Sequence, residues 1–420
     1  MAGRGAPSRR EFLAVSAGLS GGILLGFRVP SVAATAGGPT AAPGAEAEFA
    51  PNAFIRISKR NVVTIVVHKA EMGQGIYTSL PMLIAEELEV DLRKVRVVAA
   101  PVDPAYNHPT FGMQFTGGSQ SVTSEWERLR QAGAVAREML LQAAAETWRL
   151  DRTRLRAEDG RVFAPDGRVL TYGQLVDKAR TLPVPKDVPL KDPSQFKIIG
   201  RATPRLDSRD KVTGTAIFGI DVRVPGMLTA VVARSPVFGG TVKDVRDAKA
   251  RAIPGVRRVV QIPSGVAVVA TSFWAARRGR DALEITWNEG DGATVDTTAM
   301  RATYATLAGM PGRSARREGS VEPALAGAAR QLAADYEMPY LAHAPMEPLN
   351  CLVRLTGDRC EIWTGTQFQG MDRLNAAKAA GVPPERVDIH TTFLGGGFGR
   401  RATPTSDFVV EAVHLSLIHI

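Results

Sequence analysis

Three short stretches of this chain combine glycine with polar side chains at the ends of predicted strands and helices. They are "GQG" (Gly73, Gln74, Gly75), "GGSQS" (Gly117, Gly118, Ser119, Gln120, Ser121) and "GGGFGR" (Gly395, Gly396, Gly397, Phe398, Gly399, Arg400). Glycine packs no side chain and costs backbone entropy, so three such loops need a physical reason. The chemistry they favour is a ligand held closely against main-chain N–H groups.

The first loop follows a predicted strand and precedes a predicted helix. "FIRIS" and "NVVTIVVHKA" predict a hairpin, and the second strand leads into Glu71–Gly75. Thr78 or Ser79 is suited to cap the next helix, with Pro81 in its first turn. This order predicts that main-chain N–H groups and the Gln74 amide point at a ligand above the helix. A plain turn with a solvent-facing Gln74 is the alternative.

The second loop precedes a long predicted helix. Ser124 and Glu127 have the spacing of a capping box. Apolar residues at helical spacing predict the buried stripe, which is Val122, Trp126, Leu129, Gly133, Ala136, Leu140 and Ala143. Glycines and hydroxyls at a helix start favour a phosphate or another anion, whereas a well-capped core helix needs no ligand. The local pattern leaves both interpretations open.

The third loop follows the predicted strand "RVDIHTTF", and none of the three loops has the spacing of a P-loop or of a dinucleotide fingerprint. A hairpin turning at Gly357 and Asp358 places Leu355 opposite Cys360. Cys351 then lies about 13 Å along the strands from Cys360, so both are predicted to be core thiols. His343 has no second His or Cys at ligand spacing, which favours a structural histidine.

Composition excludes several classes of protein. The 420 residues carry a formal charge of +10, but the arginines are scattered among acids, which argues against nucleic-acid binding. Two cysteines rule out a disulfide framework. No 18-residue apolar run predicts a membrane span. The length predicts two to four domains, and the texture predicts a compact α+β region over about 200–290 followed by a polar, irregular bridge over 290–319.

The N-terminus has the pattern of an export signal. "SRREFLA" places Arg9 and Arg10 before an apolar, glycine-rich run that ends in "AATA". The adjacent arginines resemble a twin-arginine signal, which carries folded proteins to the periplasm. An ordinary secretory signal is the alternative. Residues 37–50 then form a small-residue linker that we expect to be flexible.

The full set of motifs resembles one family. "EMGQGIYT", "TGGSQS", "KVTGTAIFGIDVRVPGML", "HAPMEPLNC", "TGTQ" and "FLGGGFGRR" are similar to the molybdenum-binding large subunit of the xanthine dehydrogenase and aldehyde oxidase family. The GQG segment precedes the GGGFG segment, as in the branch of the isoquinoline 1-oxidoreductase beta subunits. The resemblance implies a multidomain α+β fold that is truncated and contains an a/b hammerhead domain.

It also implies a division of the chain. The predicted segments are the signal (1–36), the linker (37–50), a molybdopterin-binding lobe segment (51–195), the hammerhead domain (196–290), a bridge (291–335), a second lobe segment (336–414) and an assembly artefact (415–420). The resemblance further implies a catalytic glutamate downstream of the fragment, so we expect the fragment alone to be inactive. Without that lobe, Phe408, Val409 and Val413 are expected to be exposed.

The resemblance assigns roles to the three loops. Gln74 would bind the pterin or an oxygen on molybdenum, Gly117–Ser121 would bind the dinucleotide phosphates, and Gly395–Gly399 would lie against the metal, where a Cβ would collide with the cofactor. Leu341 stands where several relatives have a metal-approaching glutamine. Glu71 and Glu347 are candidates for support or substrate contact. No residue of this chain is assigned as a metal ligand or base.

The implied activity is that of a molybdenum hydroxylase. It would add water-derived oxygen to an aldehyde or N-heteroaromatic substrate, using molybdopterin, as the cytosine dinucleotide. Electrons would pass to a small two-cluster iron–sulfur subunit, since this chain has no CxxC pair for a cluster. The alternative function is a non-enzymatic exported binding protein for a phosphorylated ligand.

Overall fold

The computed structural model describes residues 47–418, so the predicted signal and most of the linker lie outside the described residues. The chain divides into two compact units. One comprises Met1–Val222 with His343–Ile420, and the other comprises Arg223–Ala342. Helices and strands are both abundant in each unit, which confirms the predicted α+β class. The domain boundaries predicted from the sequence remain a prediction.

The first unit begins with a four-stranded sheet. Its strands are β1 (Glu48–Asn52), β2 (Ile55–Ser58), β3 (Val63–Val67) and β4 (Arg96–Ala99). The hairpins β1–β2 and β2–β3 are antiparallel, whereas β3 and β4 are parallel. Helix α1 (Ile76–Leu88) makes the crossover that a parallel pair requires. The GQG loop therefore lies at the carboxyl end of β3.

Helix α2 (Trp126–Trp148) packs directly on α1. A Cβ on Gly133 would lie 2.5 Å from the carbonyl oxygen of Ile84, so glycine is what allows the two backbones to approach. The predicted stripe of α2 is buried from Leu129 to Ala143, whereas Val122 lies before the helix and is only partly buried. A small sheet and helix follow: β5 (Arg156–Glu158), β6 (Arg161–Phe163), β7 (Val169–Thr171) and α3 (Tyr172–Ala179).

The C-terminal part of the first unit has its own three-stranded sheet. After α4 (Ser208–Thr213), its elements are β13 (Leu352–Thr356), β14 (Arg359–Thr364), α9 (Gln369–Ala380), β15 (Val387–Thr391) and α10 (Asp407–Leu417). Leu355 pairs with Cys360, as predicted, and both cysteines are free thiols. Burial raises the pKa of the Cys360 thiol to about 11, so it stays neutral at ordinary pH.

Two expectations for this region are wrong. Phe408, Val409 and Val413 are buried rather than exposed, because α10 packs its apolar face on the β13–β15 sheet and on α9. His343 is exposed, so it is not a buried structural histidine. Helix α10 also continues through Leu417, which means that residues 415–417 do follow the helical pattern.

The second unit contains five strands in two sheets. They are β8 (Thr229–Ala233), β9 (Thr241–Arg246), β10 (Val256–Ile262), β11 (Gly265–Ala270) and β12 (Glu284–Asn288), with helices α5 (Ala248–Arg251), α6 (Phe273–Asp281), α7 (Thr297–Ala308) and α8 (Val321–Ala326). Strand β11 is buried along its whole length between β10 and β8. The predicted irregular bridge is partly wrong, because Asp296 caps α7 within it by accepting from the Ala299 N–H. Over residues 47–418, every helix is too short or too polar to cross a membrane.

Candidate functional site

The GQG loop is a left-handed entry into helix α1. Gly75 is the residue before the helix and has φ 87°, a conformation that glycine adopts at little cost. The predicted caps Thr78 and Ser79 are wrong, because the helix already begins at Ile76. Thr78 lies in the first turn instead, where its hydroxyl accepts a hydrogen bond from the main-chain N–H of Leu206 at 3.0 Å.

The Glu71 carboxylate organises this loop from below. It is 1 % exposed and accepts hydrogen bonds from the main-chain N–H groups of Gly73 (2.8 Å), Gly75 (3.2 Å) and Tyr77 (3.0 Å). Arg205 and Lys211 approach the same carboxylate at 2.9 and 3.3 Å. Burial raises the pKa of Glu71, but these N–H groups and Lys211 outweigh it, so the net pKa is lowered. Glu71 is therefore an ionised support for the loop.

This network changes what the loop offers to a ligand. The N–H groups predicted to point at a ligand are already bonded to Glu71, so the start of α1 does not present them. The Gln74 side chain also folds back on its own loop: its Oε1 accepts from Met72 N at 2.7 Å, and its Nε2 donates to the Ala70 carbonyl at 2.8 Å. Gln74 is exposed to solvent, but its amide must leave these partners to bind anything else.

The Gly117–Ser121 loop has a different character. Helix α2 begins at Trp126 after a turn, its preceding residue Glu125 makes no side-chain cap, and the predicted capping box of Ser124 and Glu127 is therefore wrong. Gly118 and Ser119 are exposed and both left-handed, with φ 62° and 55°. Within the described part of the chain, their N–H groups meet no acceptor. Successive N–H groups in a turn form a concavity that suits an anion, as predicted.

The GGGFG loop is tied down by a buried ion pair that the sequence did not reveal. The Arg401 guanidinium is 1 % exposed and lies 2.9 Å from the Glu347 carboxylate. Arg401 also donates to the carbonyls of Gly396 (2.9 Å) and Gly365 (3.1 Å). Glu347 in turn accepts from the Gly395 N–H at 2.9 Å. Arg400 points elsewhere and pairs with Asp407 at 3.0 Å.

Protein atoms already account for several of the glycines in this loop. A Cβ on Gly395 would lie 2.2 Å from the Glu347 Cβ, and one on Gly397 would lie 2.8 Å from the Gln367 Oε1 and 3.0 Å from the Met72 sulfur. Gly396 and Gly399 have φ 100° and 88°. The family resemblance attributes these glycines to a cofactor, but the chain itself requires them. Phe398, with φ 51°, projects its ring outward and is 70 % exposed.

The three loops meet although the second and third are more than 250 residues apart. The Leu394 N–H donates to the Glu71 carbonyl at 3.0 Å, and the Ala70 N–H donates to the Thr116 hydroxyl at 2.8 Å. Gln367 bridges the second loop to the third, since its main-chain oxygen accepts from Thr116 N at 2.8 Å. Sequence reasoning missed Thr116, Gln367 and Arg401, although "TGTQ" marked a polar stretch at the end of β14.

A buried charged cluster lies under the first two loops. His68, Lys69 and Glu125 are each at most 2 % exposed, and the Glu125 carboxylate lies 3.2 Å from His68 Nε2 and 3.5 Å from Lys69 Nζ. Burial opposes ionisation of Glu125, but the His68 hydrogen bond and the nearby charges prevail and lower its pKa to about 2. Burial lowers the pKa of His68. The cluster fixes the end of β3 against the start of α2, which holds the two loops in place.

Two segments of the chain match the family described as "Molybdopterin cofactor-binding domain", over residues 26–224 and 307–417. These segments include all three loops. The chain therefore belongs to the molybdopterin-binding proteins of the xanthine dehydrogenase family, as the motifs predicted.

Individual relatives narrow the resemblance. The chain is 31 % identical to the beta subunit of isoquinoline 1-oxidoreductase from Brevundimonas diminuta, covering 97 % of this chain and 57 % of that protein. It is 32 % identical to a membrane-bound aldehyde dehydrogenase [pyrroloquinoline-quinone] of Gluconacetobacter polyoxogenes, covering 96 % and 53 %. It is 30 % identical to the second of the lettered subunits of nicotinate dehydrogenase from Pseudomonas putida, covering 86 % and 31 %. The chain spans about a third to somewhat over half of these relatives' lengths.

The loops fit a molybdopterin group in two respects. Gly118 and Ser119 present N–H groups suited to a phosphate, and the buried Oε1 of Gln367 lacks a hydrogen-bond partner where the loops meet. In one respect they need a change, because the Gln74 amide is bonded within its own loop. Across residues 47–418 there is no cluster of His, Cys, Asp and Glu that could hold a metal ion. A metal here would therefore be carried by the pterin rather than by side chains.

Proposed function

We propose that this chain is the molybdenum-binding subunit of an oxidoreductase that hydroxylates an aldehyde or an N-heteroaromatic substrate with oxygen from water. The observation that carries the proposal is the meeting of the three glycine loops around Gly397, Met72 and Thr116. The names of the relatives, which include isoquinoline, aldehyde and nicotinate enzymes, support the two substrate classes. No contact among the described residues favours the alternative of a non-enzymatic binding protein.

The residues have distinct roles in this proposal. The N–H groups of Gly118 and Ser119 would bind the phosphates of a pterin cytosine dinucleotide, and the main chain of Gly397 and Phe398 would lie beside the metal end. Gln74 would exchange its bonds to Met72 and Ala70 for one to the cofactor. When bound, the group would supply two-electron redox chemistry and a metal-held oxygen. We assign the catalytic base to no residue described here.

A partner protein is part of the proposal. The chain has two cysteines, Cys351 and Cys360, and both are thiols within or beside the β13–β15 core. They are not arranged to hold an iron–sulfur cluster, so the electrons would leave through a separate small subunit with two clusters. Two of the relatives are themselves named as single subunits of larger enzymes.

The cofactor can be tested directly. The protein is produced from its native gene in a host that makes molybdopterin, and is then analysed for molybdenum, oxidised-pterin fluorescence and the released nucleotide. We expect about one molybdenum and one pterin for each chain, with cytidine monophosphate released by hydrolysis. Recovery of a quinone without pterin, as one relative's name suggests for that protein, would contradict the proposal.

We further propose that the protein is exported to the periplasm by the twin-arginine route, on the basis of Arg9 and Arg10. The test fuses residues 1–50 to a reporter that folds in the cytoplasm. Changing both arginines to lysine should retain the reporter in the cytoplasm, and an unchanged periplasmic signal would refute this route. An unfolded-substrate reporter that is still exported would identify an ordinary secretory signal instead.

A further inference from the structure

The side chain of Gln367 is held rigidly at the meeting point of the three loops. It lies three residues beyond the end of β14 at Thr364 and is 5 % exposed. Its main-chain N–H donates to the Arg401 carbonyl at 3.0 Å, and its carbonyl accepts from Thr116 at 2.8 Å. Its side-chain Nε2 donates to the Thr116 carbonyl at 3.1 Å. Three hydrogen bonds thus fix both the backbone and the amide plane.

The remaining polar atom of Gln367 is an acceptor without a donor. Its Oε1 is buried and has no hydrogen-bond partner among the described residues. The assignment of oxygen and nitrogen is fixed, because exchanging them would set a second acceptor against the Thr116 carbonyl. A buried acceptor left unbonded costs about 1–3 kcal/mol, and such atoms usually have a partner in the working protein.

The position of this oxygen identifies where its partner lies. Oε1 is 2.8 Å from the place that a Cβ on Gly397 would occupy, and the Met72 sulfur is 3.0 Å from the same place. The oxygen therefore faces the space between the GGGFG loop and the GQG loop. Gly397 keeps that space free of any side chain. The nearby donors are already engaged, since Met72 N binds the Gln74 Oε1 and the Gln74 Nε2 binds Ala70.

We propose that Gln367 is a cofactor-recognition residue whose Oε1 accepts a hydrogen bond from an N–H group of the bound pterin. This inference rests on the proposed function and extends it to a residue outside the glycine motifs. An amide oxygen complements the amino and ring N–H groups of a pterin. The pairing through Thr116 makes the same residue a link between the phosphate-binding loop and the metal-end loop.

The test measures pterin retention rather than turnover. Gln367→Met removes the acceptor at similar volume, and Gln367→Asn keeps an amide but withdraws it by one methylene. Gln114→Met is the matched control, because Gln114 is also buried, donates its Nε2 to the His68 carbonyl at 3.2 Å, and also has an Oε1 without a partner among the described residues. Each protein is made from the native gene, dialysed exhaustively, and assayed for pterin fluorescence per chain and for its unfolding midpoint without cofactor.

We expect both Gln367 variants to lose about two- to tenfold of the retained pterin, as one hydrogen bond predicts, while Gln114→Met stays within about twofold of the wild type. If Gln367→Met does not fold, Gln367→Asn alone decides. Gln367 variants that fold normally and retain wild-type pterin overturn the inference but leave the proposed function intact. An equal loss in Gln114→Met also overturns it, since the effect is then general to buried amides. Wild-type protein without pterin overturns both.

Discussion

Replacing Glu71 with glutamine should loosen the GQG loop selectively. The carboxylate accepts hydrogen bonds from Gly73, Gly75 and Tyr77 and faces the cations of Arg205 and Lys211. Glutamine keeps one acceptor oxygen but turns its NH₂ group toward donors. At least one N–H and the Arg205 guanidinium then lose their partner inside a site that is 1 % exposed at residue 71.

The size of the effect follows from these contacts. Breaking a buried ion pair by removing one partner costs about 3–5 kcal/mol. The Arg205 side chain is 35 % exposed, so water takes over part of its solvation and the lower end of that range applies. We therefore expect Glu71→Gln to lower the free energy of unfolding by about 3 kcal/mol, measured by denaturant titration at about pH 7.

The effect should depend on pH in a defined direction. The pKa of Glu71 is lowered in the folded state, so the unfolded chain binds more protons and the carboxylate stabilises the fold above its unfolded pKa. The difference between wild type and Glu71→Gln should be full above about pH 5 and should shrink as the pH falls through the lowered pKa. A difference that grows on acidification would contradict the ionised carboxylate.

Glu86, in the helix that follows the loop, provides a matched control. It is also 1 % exposed and accepts main-chain N–H groups, from Lys197, Ile198 and Ile199, together with the Lys191 ammonium. Hydrogen exchange should accelerate over residues 72–78 in Glu71→Gln and over 196–200 in Glu86→Gln. Equal acceleration of both segments in both variants would refute a local role for Glu71.

Three further changes test other contacts, each by denaturant unfolding. Gly395→Ala should destabilise the first unit by about 1–3 kcal/mol through its clash with Glu347, whereas Gly312→Ala, with open space around it, should be neutral. Arg401→Met should cost about 3–5 kcal/mol by leaving a buried carboxylate unpaired, and a neutral result would exclude the ion pair. Burial raises the pKa of Asp372 to about 6, so relative to Asp372→Asn the wild type should lose stability as the pH rises from about 4 to 6, and a flat difference would contradict this.

The order of strands, loops and helices was accessible from the sequence because it rests on local patterns. The hairpin register at Leu355 and Cys360 follows from one turn, and the burial of α2 follows from spacing. The helix starts were less accessible. A left-handed Gly75 and a turn before Trp126 replaced the hydroxyl caps that the sequence favoured, because loop contacts outweighed the local capping preference.

The supports of the candidate site were inaccessible for a different reason. Glu71 acts on Arg205, Thr116 acts on Gln367, and Arg401 acts on Glu347, so each bond joins segments that are 54 to 251 residues apart. No local period marks such pairs. Burial of Phe408 was missed because the family resemblance implied a further lobe against that face, whereas β13–β15 and α9 cover it.

The glycines of the third loop show how the chain prepares a ligand site before any ligand arrives. Gly395 lets the loop approach Glu347, and Gly397 lets it approach Gln367 and Met72. These are contacts within the protein, and each fixes one wall of the space that the orphaned Gln367 oxygen faces. A side chain at either position would move a wall rather than merely fill the space. Loss of cofactor in a Gly397 variant would therefore not prove direct contact with the cofactor, whereas loss in Gln367→Asn with an unchanged unfolding midpoint would separate recognition from support.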